Sequence, residues 1–171
     1  MAGGPPDPDL RAVTGALVAA GARFVVIGGF AVIAHRHVRA TEDVDLLIPD
    51  GERDDARCLE GLGALEARRL DTGRSVASTD LVGREHLRAC TRGGLVDLVR
   101  EGAPPLDFAS VSEGALRADL GDGEFRVAGL AALVAFKRLA GRARDRQDLE
   151  ALAEEHGELP MLPLPGLDRG P

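Results

Sequence analysis

Asp43 and Asp45 stand two residues apart, ahead of the apolar run Leu46-Leu47-Ile48. On a β-strand that spacing puts both carboxylates on one face. Carboxylates so close repel each other, and a cation between them relieves the repulsion. Oxygen ligands on a rigid strand suit Mg²⁺ (or Mn²⁺), a metal that also takes substrate phosphates as ligands. A third acid, Asp97, lies within Leu95-Val96-Asp97-Leu98-Val99. A lone charge in an apolar strand is costly to bury unless it is paired or metal-bound. Alternation puts Leu95, Asp97 and Val99 on one face, and pairing this strand beside 44–48 brings Asp97 to the other two acids. Asp97 then completes a metal cage or accepts the proton of an attacking hydroxyl. The plainer alternatives are a solvated strand end for Asp43 and Asp45 and a water-facing edge strand for Asp97.

Two further features carry phosphate chemistry. Gly28-Gly29 follows a β-branched run and leads into a helical pattern. Glycines there allow close backbone approach to a phosphate, and a helix start offers N–H donors; a simple tight turn is the alternative. Residues 137–146 hold five basic side chains and one acid, Asp145. Lys137 offers a point charge to phosphate, with Arg142 or Arg144 assisting. A solvated basic helix junction is the alternative. His35 and His37 close the helical pattern after Gly29, where a helix C-terminus favours histidine anyway.

These residues need elements to hold them. Asp7, followed by Pro8, caps a helix over about 8–20 that Gly21 ends. Residues 23–27 read as a buried strand, 30–37 as a helix and 44–48 as a second strand ended by Pro49. Residues 51–65 carry Ala56, Leu59, Leu62 and Leu65 on one side of a helix. Arg84 to Thr91 reads as an edge strand, joined by Gly93-Gly94 in a hairpin to a strand over 95–99. A second hairpin spans 116–120 and 124–127 around Gly121-Asp122-Gly123, and two helices follow over 130–139 and 145–155. Residues 66–92 otherwise carry no clear period, and the tail from 158 to 171 is irregular.

The stretch from Phe24 to Ile48 resembles the nucleotidyltransferase superfamily of the DNA polymerase β fold. That superfamily carries Gly-Gly or Gly-Ser, about a dozen residues, then Asp-x-Asp or Asp-x-Glu. Here 13 residues separate Gly29 from Asp43. It is most similar to the small bacterial AbiEii-like and related stand-alone groups, which read Gly-Gly-x-Ala and then Arg-x-Thr-x-Asp-x-Asp. Gly28, Gly29, Ala31, Arg39, Thr41, Asp43 and Asp45 match that pattern. Leu130 to Leu149 is similar to a helical element of the same groups, in which a Lys and an Arg-x-x-Asp turn line the triphosphate side. The likeness covers roughly 22–150.

The resemblance implies an α+β (α/β) fold: a mixed sheet flanked by helices, with helices at the C-terminus. It implies a Mg-dependent enzyme that moves a nucleoside monophosphate from a nucleoside triphosphate to a hydroxyl of RNA, protein or a small molecule. Asp43, Asp45 and Asp97 would be catalytic and hold the metal. Gly28, Gly29, Arg39, Thr41, Lys137, Arg142 and Arg144 would hold the nucleotide. Asp145 and Asp148 would orient the basic groups or cap the last helix. AbiEii-like relatives include toxins that modify tRNA, so tRNA or protein acceptors and an antitoxin partner belong to the expectation. The alternative from another class is a nucleotide-binding or regulatory protein of this fold without turnover.

Bulk composition bounds these readings. The 171 residues suit a single domain with a core over about 8–157. Hydrophobic residues make up 44% and only five are Phe, with no Trp or Tyr, so Leu, Val, Ala and Ile must build the core. The net charge of −7 disfavours broad nucleic-acid binding, and no DNA partner is expected. Cys58 and Cys90 stand apart, outside any Cys-x-x-Cys pattern. Two isolated thiols, no apolar secretory core and no membrane-length run make a cytoplasmic protein the expectation.

Overall fold

The computed structural model describes residues 4–100 and 102–168. Residues 1–3 of the expected loose start and 169–171 of the expected tail lie outside it. A helix, α1 (Leu10–Ala19), opens the described chain and presents Val13 and Leu17 to the core. Its cap is Asp9 rather than Asp7: the Asp9 carboxylate accepts from the Ala12 backbone N–H at 3.0 Å. Asp9 is better placed because its own N–H is already held by the Gly93 carbonyl.

The strand expected over 23–27 shrinks to β1 (Val25–Val26), and the next helix, α2 (Gly28–Ala34), begins on the two glycines themselves. Then come β2 (Asp43–Ile48) and α3 (Glu52–Ala64). The stretch without a readable period contains β3 (Arg68–Arg69) and a long turn, followed by β4 (His86–Thr91) and β5 (Gly94–Arg100). A short α4 (Phe108–Glu113) precedes the hairpin of β6 (Leu116–Asp119) and β7 (Glu124–Val127). The chain then forms α5 (Leu130–Ala140) and α6 (Ala143–His156), turning between them at Gly141 in the left-handed region (φ 62°). From 158 to 168 there is neither helix nor strand.

The strands form one mixed sheet in the order β3-β4-β5-β2-β1-β7-β6. β4 is therefore an inner strand and not the edge, because β3 covers its outer side through Arg68–Cys90 and Arg69–Ala89 pairing. The arrangement that matters most is the parallel pairing of β2 with β5, which sets Asp45 directly beside Asp97. A two-residue turn closes β4 onto β5, from Thr91 to Gly94, and that register sets Arg88 opposite Asp97.

Helices flank the sheet: α1 packs with α3, and α2 lies on β2 and against α5. Val44, Leu46 and Ile48 are fully buried, whereas Asp43 and Asp45, on the opposite face, are half-buried. The core is aliphatic, as the composition requires, with Phe24 and Phe125 stacked at a centroid distance of 6.3 Å. Among the described residues no helix is long and apolar enough to cross a membrane.

Candidate active site

The apolar halves of β2 and β5 anchor both strands in the core, so their polar residues are held where the sheet meets α2 and α5. One oxygen from each of Asp43, Asp45 and Asp97 lies within 4.8 Å of the others. Such a set is compact enough for one divalent cation, and its hard oxygens fit Mg²⁺ or Mn²⁺. The electrostatics agree. Burial, then the charges of Asp43 and Asp97, push the Asp45 carboxyl up to about 6. Burial also raises Asp97, against the opposing pull of Arg88 and His86. A bound cation would remove the repulsion that raises these groups.

The sign of that shift yields a measurable consequence. Asp45 is charged in the unfolded chain above about 3.8 but resists ionisation in the fold until about 6. Its protonated form stabilises the fold fully below the unfolded value, and that contribution is lost as pH rises through about 6. In chelator, Asp45→Asn should therefore have the higher Tm at pH 8, with the difference shrinking as pH is lowered to 5. Thermal unfolding across that pH range measures it; a difference independent of pH would refute the burial of Asp45 charge.

Gly28 and Gly29 make room for this cluster. A Cβ on Gly28 would sit 2.0 Å from Asp45 Oδ2, and one on Gly29 would sit 2.4 Å from Thr41 Oγ1. Gly28 also has φ 62°, which a side chain strains. The glycines thus admit the Asp45 carboxylate and the Thr41 hydroxyl against the start of α2. Gly28→Ala is expected to displace Asp45 and to destabilise the protein by about 1–3 kcal/mol. Urea unfolding checks this, and unchanged stability would contradict the packing.

Thr41 donates to the Asp43 carbonyl at 3.2 Å and so fixes the entry to β2. Arg39 binds Asp148 at 2.8 Å, and Arg144 donates to the Ala40 carbonyl. These contacts tie the 35–42 segment to α6. Lys137 is held by the two acids expected to orient the basic groups. It is buried, with Nζ 3.0 Å from Asp145 and 2.8 Å from Asp148, so its charge is already matched by two carboxylates. Asp145 also accepts from the Arg142 N–H at 3.2 Å and guanidinium at 2.7 Å, capping α6 and orienting Arg142 at once. Burial would raise Asp145, but the Arg142 and Lys137 hydrogen bonds outweigh it and hold the carboxyl low.

All ten residues singled out in the sequence (the three acids, the two glycines, Arg39, Thr41, Lys137, Arg142 and Arg144) line one cavity of about 340 Å³. Its wall carries both signs of charge: Asp43, Asp45 and Asp97 on the strands with Glu42 and Asp145 beyond them, and Arg39, Arg88, Lys137, Arg142 and Arg144 among them. Two contributors were not visible in the sequence. Arg88 Nη2 lies 2.9 Å from Asp43, with Nε 3.4 Å from Asp97, and His86 Nε2 lies 3.1 Å from Asp97. The turn falls on Arg92-Gly93, so Thr91 faces Gly94, Arg88 faces Asp97 and His86 faces Val99; a turn placed on Gly93-Gly94 sets Cys90 across from Asp97 instead, which is why the hairpin signal did not reveal either residue. His35 and His37 are not brought into the cavity. His35 is buried with its ring 2.8 Å from the Ala128 carbonyl, a structural contact at the end of α2.

No protein-family model matches the sequence, and no curated protein matches it. Solved structures do match it in shape. The crystal structure of ANT(2'')-Ia in complex with adenylyl-2''-tobramycin aligns with TM-score 0.55 and 17% identity over 85% of this chain and 86% of that one. A solution structure of ANT(2'')-Ia gives 0.52 and 18% over 85% and 83%. JHP933 from Helicobacter pylori gives 0.50 and 20% over 86% of this chain and 64% of its own. At these identities the likeness is one of architecture, and the chain has the nucleotidyltransferase fold.

Proposed function

We propose that the protein is a metal-dependent nucleotidyltransferase. The observation that carries this reading is the meeting of three carboxylates from two parallel strands with the Gly28-Gly29 helix start, inside a cavity also lined by Arg39, Arg88, Arg142 and Arg144. A wall with both signs of charge suits a ligand that brings a cation and polyphosphate together, as a metal–nucleoside triphosphate does. The fold shared with ANT(2'')-Ia, whose complex holds an adenylylated product, supports the same reaction class.

In this reading Asp43, Asp45 and Asp97 hold Mg²⁺ or Mn²⁺, which when bound supplies Lewis-acid stabilisation to the phosphates. The backbone at Gly28 and Gly29 faces the outer phosphates. Arg142 and Arg144, at the mouth of the cavity, neutralise them, while Arg39, Thr41 and Lys137 hold the site in shape. Asp97, raised by burial, either completes the cage or takes the proton of the acceptor hydroxyl. The acceptor oxygen bonds to the α-phosphorus, the bond to the bridging oxygen breaks, and pyrophosphate leaves.

The test is to incubate the protein with each nucleoside triphosphate, labelled at the α- or the γ-phosphate, with Mg²⁺ or Mn²⁺ and either a small-molecule extract, total tRNA or lysate protein. Transfer of α-label with release of pyrophosphate is expected. Transfer of γ-label would make the protein a phosphotransferase instead. Saturable nucleotide binding without any transfer would favour a regulatory member of the fold.

A further inference from the structure

A second cavity of about 280 Å³ opens on the other side of the same acids, between the ends of β1 and β5 and the helix α5. It shares Gly28, Asp45, Asp97, Lys137, Arg142 and Asp145 with the charged cavity. The rest of its wall is its own: His86 and the apolar Ile27, Val99, Leu133, Phe136 and Ala140. Ile27 and Leu133 belong to the buried core, and Phe136 packs against it, so this apolar wall is built into the fold. The basic side chains that line it already have partners: Lys137 has Asp145 and Asp148, Arg142 has Asp145, and the His86 ring meets Asp97.

We infer that this cleft takes the acceptor, and that the acceptor is a small hydroxyl compound with an apolar body, such as an alcohol or phenol carried on a ring. The inference rests on the nucleotidyl-transfer reading and adds the substrate class to it. Three features support it. The phosphates need both glycines and the full set of arginines, which the charged cavity supplies; the cleft keeps Gly28 and Arg142 but lacks Gly29, Arg39, Arg88 and Arg144. A hydroxyl entering from the apolar side meets Asp97, the acid on β5, before it meets Asp43, which lines only the charged cavity. The volume of about 280 Å³ falls just under the usual lower bound for ligand cavities, about 300 Å³, so only a small acceptor fits. A polycationic acceptor would find few unpaired carboxylates beyond the metal site, and burying its charges against Leu133 and Phe136 would be unfavourable. A folded RNA could insert no more than a terminal group.

The test uses methyl and amide NMR of the full chain with Mg²⁺ and a non-hydrolysable ATP analogue bound. Three probes are compared: p-cresol, 1,3-diamino-2-propanol and uridine. The expected result is that p-cresol alone shifts Ile27, Val99, Leu133 and Ala140, and that Ala140→Trp weakens its binding tenfold or more. Ala140 is an exposed helix end, so the variant should fold, and unchanged shifts elsewhere verify this. Shifts of the same methyls by the ATP analogue itself, with p-cresol excluded, would assign the cleft to the nucleoside and overturn the inference. Binding of the diamine or uridine in place of p-cresol would overturn it too. Because the readout is binding, a protein that fills this cleft yet transfers no α-label would sink the proposed reaction alone.

Discussion

Lys137→Met is expected to lower stability by about 3 kcal/mol, near the lower end of the cost of breaking a buried ion pair. Lys137, Asp145 and Asp148 are 5%, 1% and 1% exposed, so removal of the ammonium leaves two carboxylates poorly solvated. The loss stays near the lower end because Asp145 keeps Arg142 and Asp148 keeps Arg39. Met preserves the length of the stem, so the packing of α5 on α6 changes little. Urea denaturation gives the number. The double variant Lys137→Met/Asp148→Asn should lose less than the sum of its parts, by about 1 kcal/mol or more, because the two side chains share one contact. A Lys137→Met protein as stable as the parent, but weaker in nucleotide binding, would return Lys137 to the role of a phosphate ligand.

Asp97→Asn is expected to lower kcat for nucleotidyl transfer by a factor of about 10²–10⁴, the range of a lost general base or metal ligand. Its amide keeps the shape of the β5 residue beside Asp45 and can still accept from His86. The strand register, set by neighbours such as Val96 and Leu98 in the core, should persist. Nucleotide KM should change much less than kcat if Asp97 serves the acceptor side. Steady-state kinetics with the acceptor found by label transfer measures both constants. An equal rise in KM with kcat unaffected would place Asp97 among residues that merely bind.

Much of this site could be read from residue order because strand periodicity is simple. The spacing of Asp43 and Asp45 ahead of an apolar run set their common face, and the polar centre of β5 predicted a neighbour for them. The α5–α6 pair was equally plain, and so was the hairpin of β4 and β5, although its turn falls on Arg92-Gly93, one residue before the expected Gly93-Gly94. What escaped was set by pairing between distant segments. The stretch 66–92 has no hydrophobic period because buried charge holds it: Arg69 is 4% exposed and binds Asp80 at 2.6 Å, as well as Asp71. Without β3 in place, β4 reads as an edge, and with the turn set one residue late Cys90 rather than Arg88 faces Asp97. The setting of Lys137 was only half legible: Asp145 and Asp148 read as acids that orient basic groups, but that both reach the same ammonium is revealed only by the packing of α5 on α6.

Arg88 deserves a place in any account of the acids, since its guanidinium already spans Asp43 and Asp97. Each of those carboxylates has a second oxygen, so cation binding requires at most a local shift of the arginine.

The central claim is that the three acids together hold the cation on which nucleotide binding depends. Titration of Mn²⁺, followed by electron paramagnetic resonance with and without a non-hydrolysable ATP analogue, tests it directly. The account predicts one strong site in the parent protein, tightened by the analogue, and at least tenfold weaker binding in Asp43→Asn and in Asp45→Asn. Equal Mn²⁺ affinity in the parent and both variants would contradict it.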